Sequence, residues 1–552
     1  SSNAMRITHG TVINTTTGIQ SKEYKNELIT NVTIAEDEQL HILTDGISLN
    51  QSFSLLAGNT QLSQGDVEYT SFNTNIATVG ETDGIVTPVK GTYGTAVIIA
   101  KSNGYSSIIR VKTKPADTDD VKSIASPMVA AGGGYTIALK YDGTVWAWGY
   151  NANCELGQGN TTSVYSPVQV KSSDGSSYLT DIIEIAAGAY HNLALAKDGT
   201  VWSWGYNYHG QLGNGTTANS SLPVKVIGVS DVVSIAAGYY NSFAVRKDGT
   251  VWSWGYNNYG SLGLGDGTSR TTAQQVLGGA SGSQYLTDIV EVKAATMHTL
   301  ALKANGTVYA WGYNGYGQLG SNGGSSYTPV QVVTGAQKSA SGYLEKVVDI
   351  DVSSGNDNGY GTSIALTESK EVYGWGYSGY GPLGQTGYFT SPIKVSNINT
   401  AVGVALGGTD NTQFTYILKE DGTVSSLGYN YYGQLGNGTT TNSSTAQDVQ
   451  NSENLINGIL QVSGSQNGHF GAFVKKDGTV WTVGYNQYGQ LGNGTADNKS
   501  VPIQAGTQGS NVLIVHEVTL ASSIDDDTPM GKTGTYGGNN TVVSNITLRG
   551  DN

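Results

Sequence analysis

The chain has 552 residues, a formal net charge of −14 and 13% charged residues, with 77 glycines and 34 tyrosines. An acidic chain without Lys/Arg clusters gains nothing from counterion release on a phosphate backbone, which excludes nucleic acid as a partner. No apolar run approaches the roughly 20 residues of a membrane-crossing helix, and the single cysteine, Cys154, excludes an intrachain disulfide framework.

In chain order, Ser1 to Met5 reads as the remnant of a cleaved expression tag, and residues 1–30 are taken as tag and N-terminal segment. Residues 31–115 form a small β-domain. The apolar-rich runs Val32-Thr33-Ile34, Gln39 to Leu43, Ala96 to Ala100 and Ser107 to Val111 are separated by Gly- and Asn-containing turns, as a β-sandwich requires. The stretch Ser71 to Val79, followed by Gly84 to Val89 and Gly91 to Ala96, resembles the group 2 bacterial immunoglobulin-like family, with Tyr69 where that family has tryptophan. The resemblance implies a stalk or spacer on a bacterial surface. Lys114 to Asp120 reads as the linker that follows.

Residues 116–506 are repetitive, and a repeat of this length decides the fold. Asp142-Gly143-Thr144-Val145-Trp146-Ala147-Trp148-Gly149 returns almost unchanged from Asp198 to Gly205 and from Asp248 to Gly255. Weaker copies end at Gly312, Gly376, Gly428 and Gly484; the seven closing glycines lie 56, 50, 57, 64, 52 and 56 residues apart. Asp-Gly between two apolar-rich runs is a hairpin signal. Runs such as Val232 to Gly238 and Ser242 to Val245 precede the turn, and a proline-containing strand, Leu222 to Val226 in one copy, follows the loop. Four short strands per copy is the size of one propeller blade. The fold class expected is all-β: a seven-bladed β-propeller preceded by an immunoglobulin-like β-sandwich.

All nine tryptophans sit in the strand after the turn. Residues two apart share a strand face, so the tryptophan pairs are expected to pack between blades. Repeat six has Ser425 and Leu427 at those positions and is expected to be the least tightly packed. Gly205-Tyr206-Asn207-Tyr208-His209-Gly210-Gln211-Leu212-Gly213 and its counterparts make the repeat resemble that of the regulator of chromosome condensation family, over about 385 residues. The resemblance implies the seven-bladed propeller. It does not carry nucleotide-exchange activity onto this chain, because the matching residues are the blade-forming ones.

Each copy has a tyrosine directly after the closing glycine: Tyr150, Tyr206, Tyr256, Tyr313, Tyr377, Tyr429 and Tyr485. A second aromatic series follows at His209, Tyr259, Tyr316, Tyr380, Tyr432 and Tyr488. Residues recurring once per repeat recur around one face, and tyrosine anchors interfaces at low rotamer cost. The second series is therefore the candidate ligand-binding rim, for a glycan or a surface protein, with filling of gaps between blades as the competing role. Cys154 stands where the other copies have glycine, which predicts different dihedrals in that loop. His191, His298 and His469 are aligned with Tyr135, Asn241, Thr362 and Phe414 as structural residues. No metal site and no cofactor are expected; Asp117 to Asp120 and Asp525 to Asp527 lack the spacing of a calcium loop.

The tail, 507–552, does not match the repeat and either helps close the ring or begins a further domain. Val501 to Gln504 is expected to complete the first blade beside Met128 to Ala131. No phosphate loop, His-Glu-x-x-His or nucleophile elbow is present. The function expected is an extracellular or cell-surface binding module, not an enzyme, and a monomer. A polysaccharide hydrolase and an intracellular propeller scaffold or GTPase exchange factor-like protein are the alternatives.

Overall fold

The computed structural model describes residues 67–507, apart from 103–104, 115–123, 280–283, 354–357 and 452–453. It also describes Leu513 and the backbone of short strands between residues 10 and 61. The tag remnant, the linker from Pro115, and the acidic runs Asp117 to Asp120 and Asp525 to Asp527 lie outside the described residues.

Nearly every described element is a strand. Seven consecutive four-stranded antiparallel sheets occupy 128–169, 182–225, 232–275, 289–331, 347–394, 401–448 and 459–504. Each is a meander whose strands follow chain order from the inside out, and each packs on the next, with the last packed on the first. This repeated arrangement is that of a β-propeller. The second and third strands are joined by an Asp-Gly turn in five sheets, by Asn305-Gly306 in sheet four and by Ser369-Lys370 in sheet five. In sheet three Gly249 has φ +76°, and the Asp248 carboxylate accepts the Thr250 N–H (3.0 Å) and hydroxyl (2.6 Å). The fourth strand is the outer edge of each sheet, and in five of the seven it contains a proline. In sheet one Pro167 lies where the register against Val145–Gly149 slips, so its missing N–H costs no ladder bond.

The ring closes differently from expectation. Lys499–Gln504 is the outer strand of sheet seven, paired with Val480–Gly484, and sheet one draws all four strands from its own repeat. The copies are therefore in phase with the sheets, and side chains make the closure. The Gln461 side chain accepts from the Val129 N–H (2.8 Å) and donates to the Val129 carbonyl (2.9 Å), and Ser463 Oγ accepts the Ala131 N–H (3.1 Å). Leu513, from the start of the tail, is buried in the same seam with Val129, Trp148 and Val480.

Tryptophan forms the joints between sheets. Trp148, Trp204, Trp254, Trp311 and Trp375 are fully buried. Each indole N–H donates to a backbone carbonyl of the preceding sheet in the ring: Gln490, Glu155, Gln211, Ser261 and Gln318, at 2.7–2.9 Å. Sheet six makes up the missing tryptophan volume from another strand. Its second strand supplies the aromatic volume that its third lacks: Tyr416 is buried between Phe414 and Phe473, with ring centroids 5.3 and 5.1 Å away. Leu427 joins them in one apolar cluster.

The N-terminal region has two sheets. One has the strand order β2-β1-β4-β9-β8, from β1 (Gly10–Asn14), β2 (Gln20–Glu23), β4 (Glu38–Ile42), β8 (Ala77–Val79) and β9 (Ile85–Pro88). The other has β12-β10-β11-β3, from β3 (Asn31–Ala35), β10 (Thr92–Ser102), β11 (Tyr105–Lys114) and β12 (Ile124–Ala125), with β7 (Glu68–Ser71) also on β10. Strands thus begin before residue 31, and β12 belongs to this region, so the ring starts at Met128. The β10–β11 hairpin lies against the propeller. Val97, Ile99 and Ile108 join the apolar cluster of sheets five and six, and the Ile108 N–H donates to the Glu368 carbonyl at 2.9 Å.

Candidate functional site

One face of the ring carries the loops that follow the third strands. Six of the seven loops are built on a buried asparagine. The Asn207 Oδ1 accepts the Leu212 N–H (2.9 Å), while its Nδ2 donates to the Thr216 (3.1 Å) and Ala218 (2.9 Å) carbonyls. Asn151, Asn257, Asn430 and Asn486 do the same, and Ser378 takes the position in sheet five. These internal bonds fix the loop, so the aromatic residues on either side of the asparagine are preorganised.

His209, Tyr259, Tyr316 and Tyr432 are half-buried, while Tyr380 and Tyr488 are 37% and 42% exposed. Each touches the first-series tyrosine of the next sheet. Ring centroids are 4.8 Å apart for His209–Tyr256, 5.6 Å for Tyr259–Tyr313, 5.4 Å for Tyr316–Tyr377, 5.1 Å for Tyr380–Tyr429, 4.8 Å for Tyr432–Tyr485 and 4.9 Å for Tyr488–Tyr150. The two series are therefore one chain of edge-to-face and tilted pairs running over six of the seven junctions. The seventh, from sheet one to sheet two, has Asn153 in the second-series position.

The face has a third set of rings that spacing alone did not single out. Tyr190, Tyr240 and His469 stand immediately before the second strands of sheets two, three and seven, and pack on the others: Tyr240 lies 4.9 Å from His209, and His469 5.0 Å from Tyr432. This corrects the alignment of the histidines. The partner of His191 and His298 in sheet seven is Phe470, opposite Gly484 as His191 is opposite Gly205. His191 and His298 are buried and bond the Ser242 and Ser363 hydroxyls of the next sheet at 2.8 and 3.0 Å; burial pulls both down to about 3, so both are neutral.

The loops 206–219, 313–325, 377–387 and 429–442 contain no Asp, Glu, Lys or Arg, in a chain of net charge −14. Burial pushes the Tyr150, Tyr206, Tyr377, Tyr429 and Tyr485 hydroxyls above their ordinary range, so these phenols are neutral at neutral pH, and the other loops add few charges, Asp266 (paired with Arg270) and Asp497 among them. It offers stacking surface, hydroxyls and amides.

Cys154 does not change its loop. Its φ is +75°, beside +81° and +74° for the glycines at the same position, Gly210 and Gly260. A side chain in the left-handed region is strained by about 1 kcal/mol. Cys154→Gly is expected to raise stability by roughly 0.5–1 kcal/mol, read as a higher denaturant midpoint at unchanged slope; a lower midpoint would mean that the thiol packs usefully. Burial pushes the thiol up, away from reactivity.

The opposite face carries the Asp-Gly turns and the docked hairpin. The inner strands enclose a cavity of about 990 Å³, lined also by Arg110 and Lys112 of β11. Glu184, Glu291, Asp349 and Asp351 stand in this channel, outside any turn, which the sequence reading missed because a charge on an inner strand interrupts no visible motif. Three of them join neighbouring inner strands: Glu184 accepts the Ile235 N–H (2.9 Å), Asp349 that of Val404 (3.2 Å) and Asp351 that of Leu406 (2.7 Å).

Residues 99–412 match the RCC1-like domain family, and residues 477–522 match the regulator of chromosome condensation (RCC1) repeat. The chain belongs to the RCC1-like domain family. The E3 ubiquitin-protein ligase HERC2 of Homo sapiens is 27% identical over 390 residues, which are 70% of this chain and 7% of the ligase, so the chain spans only a small part of that relative. The ultraviolet-B receptor UVR8 of Arabidopsis thaliana is 28% identical over 378 residues, 68% of each chain. Among solved structures, Prp20p from Saccharomyces cerevisiae has a TM-score of 0.53 and 22% identity over 66% of this chain and 86% of its own. Human WBSCR16 has a TM-score of 0.53 and 19% identity over 66% and 94%. These two likenesses speak to the fold alone.

Proposed function

We propose that the protein is a seven-bladed propeller scaffold that binds a protein partner through the tyrosine-lined face and catalyses no reaction of its own. The observation that carries this is the contrast between the two faces. One mouth of the ring is covered by the N-terminal hairpin; the other presents rigid loops, half-exposed rings and almost no charge. Tyr, Asn, Ser and Gly on preorganised loops is the composition of a protein-binding surface. Prp20p, of the same fold, is described by its binding to Gsp1p and histones, which favours a protein as the class of partner. The N-terminal pair of sheets serves in this reading as an immunoglobulin-like support, and the sparse charge favours an extracellular setting. The sparsely charged face also suits a neutral glycan, because pyranose rings stack on tyrosine and need no ion pair.

The test is binding of the full chain to paired protein and glycan arrays, the protein array including small GTPases. Beside it runs a variant with Tyr259, Tyr316, Tyr380, Tyr432 and Tyr488 all changed to alanine. A protein hit weakened at least tenfold in the variant, and by about 1–2 kcal/mol in Tyr380→Ala or Tyr488→Ala alone, is the expected result. A glycan hit with the same pattern selects the glycan, and hits indifferent to the tyrosines remove this face from consideration.

A further inference from the structure

The covered mouth has a specific chemistry. The seven inner strands bear four carboxylates, on Glu184, Glu291, Asp349 and Asp351, against one ammonium, on Lys293, an excess of three negative charges in one channel. Such a concentration inside low-dielectric walls attracts cations strongly. Two cations answer it, both on β11 and two residues apart, so both point from one face of the strand. Arg110 Nη1 lies 2.8 Å from Asp349 Oδ1, 3.2 Å from Glu291 Oε2 and 3.1 Å from the Val348 carbonyl. Lys112 Nζ lies 3.2 Å from Glu184 Oε2 and 2.6 Å from the Val233 carbonyl. Asp351 lines the same cavity, nine-tenths buried, with no ion pair among the described residues.

The hairpin is held unevenly. Over sheets five and six it is pinned by Val97, Ile99 and Ile108 and by the backbone bond to Glu368. Toward sheets two to four its hold on the ring is polar, and the cavity of about 990 Å³ opens there at the exposed turn residues Asp198, Asp231 and Asp248. A charge cannot leave such a partly buried pair without cost, but a competing cation of the same spacing leaves no carboxylate unpaired, so exchange of one for the other is far cheaper than simple loss.

We propose that this mouth is a recognition site for an extended basic segment with cations two residues apart, filled here by the chain's own Arg110 and Lys112 and able to take the same kind of segment from a protein partner. The chain's strand then acts as a built-in competitor. A partner must displace two side chains, and the site distinguishes partners by charge spacing, because Glu184 stands on sheet two while Glu291 and Asp349 stand on sheets four and five.

The test uses the full chain carrying Arg110→Gln and Lys112→Gln. The probe is an end-blocked five-residue peptide with the sequence of residues 109–113, followed by fluorescence anisotropy at low and high sodium chloride. The double variant should bind at least tenfold more tightly than the unaltered chain, with binding falling at least tenfold at high salt, and a peptide with glutamates at the two basic positions should not bind. Equal affinity of variant and unaltered chain, or indifference to the peptide's charges, would overturn the proposal. Should the variant lose cooperative unfolding, Glu291→Gln with Asp349→Asn keeps the bond to Val404 and tests the same contact by hydrogen exchange. Faster exchange at Ile108 to Thr113 with unchanged protection of Ile350 and Ile364 is then expected, and unchanged protection of β11 overturns the proposal.

Discussion

Glu155→Gln should stabilise the protein by about 2 kcal/mol above pH 7 and, with the pH-linked gain gone, destabilise it by up to about 1 kcal/mol near pH 4.5. Glu155 stands where four other copies have Gln211, Gln318, Gln434 and Gln490, whose side-chain oxygens accept the N–H two residues earlier at 2.9–3.1 Å. The Glu155 carboxylate makes the same bond to the Asn153 N–H (2.9 Å) and a second to the Asn153 Nδ2 (2.9 Å), yet it is fully buried, and burial pushes it from 4.5 up to about 7. With the folded value above the unfolded one, the unfolded chain gives up its proton first as pH rises. Stability is therefore lost between about pH 4.5 and 7 and stays lost above. The full penalty is about 3 kcal/mol, and the glutamine forfeits about 1 kcal/mol of it by losing the second acceptor oxygen. His191, His298 and His469, all pulled down by burial, work in the opposite direction: the unfolded chain takes up their protons below about pH 6.5 while the folded one does not. They are common to both proteins and cancel in the comparison. Denaturant unfolding of the two at pH 4.5, 6 and 8 measures the difference; a difference independent of pH would show that the carboxyl is not buried as charge.

The two tryptophans of a pair should behave very differently. Trp254→Ala is expected to cost about 4 kcal/mol and Trp252→Ala about 1–2 kcal/mol. Trp254 is fully buried against the neighbouring sheet, donates to the Gln211 carbonyl at 2.9 Å, and fills the space beside Gly213, where an added Cβ would meet its ring nitrogen at 2.7 Å. Trp252 points the same way from the strand but lies nearer its turn, half-exposed, with the Arg246 guanidinium 6.0 Å above its ring. Removing it loses contact area but opens no cavity. Unfolding midpoints that fall by similar amounts would mean that the burial of one ring does not decide how the sheets hold together.

The sequence by itself determined the strands and their grouping. Asp-Gly turns, Trp-x-Trp strands and edge prolines are local signals whose physical effect is complete within ten residues, so seven copies that each keep some of them specify seven like sheets. It determined the two tyrosine series as well, since a residue fixed in the repeat is fixed in the ring. The tertiary structure decided whatever depends on residues from different copies. Sheet seven ends in its own Lys499–Gln504 strand and is tied to sheet one by Gln461 and Ser463, across more than 300 residues. The same holds for His469, which a one-residue change of register moves from the strand to the aromatic face. At Cys154 the surrounding loop, held by the Asn151 bonds to Asn160 and Thr162, imposes the dihedral that the side chain would refuse in isolation. The channel is the clearest case. Arg110 and Lys112 read as ordinary charges on a β-strand, and Glu184, Glu291 and Asp349 as ordinary acids in three other copies. Only the docking of β11 across the ring brings them within 3.2 Å, because the energy of a charge pair depends on a distance that no local pattern in the chain encodes.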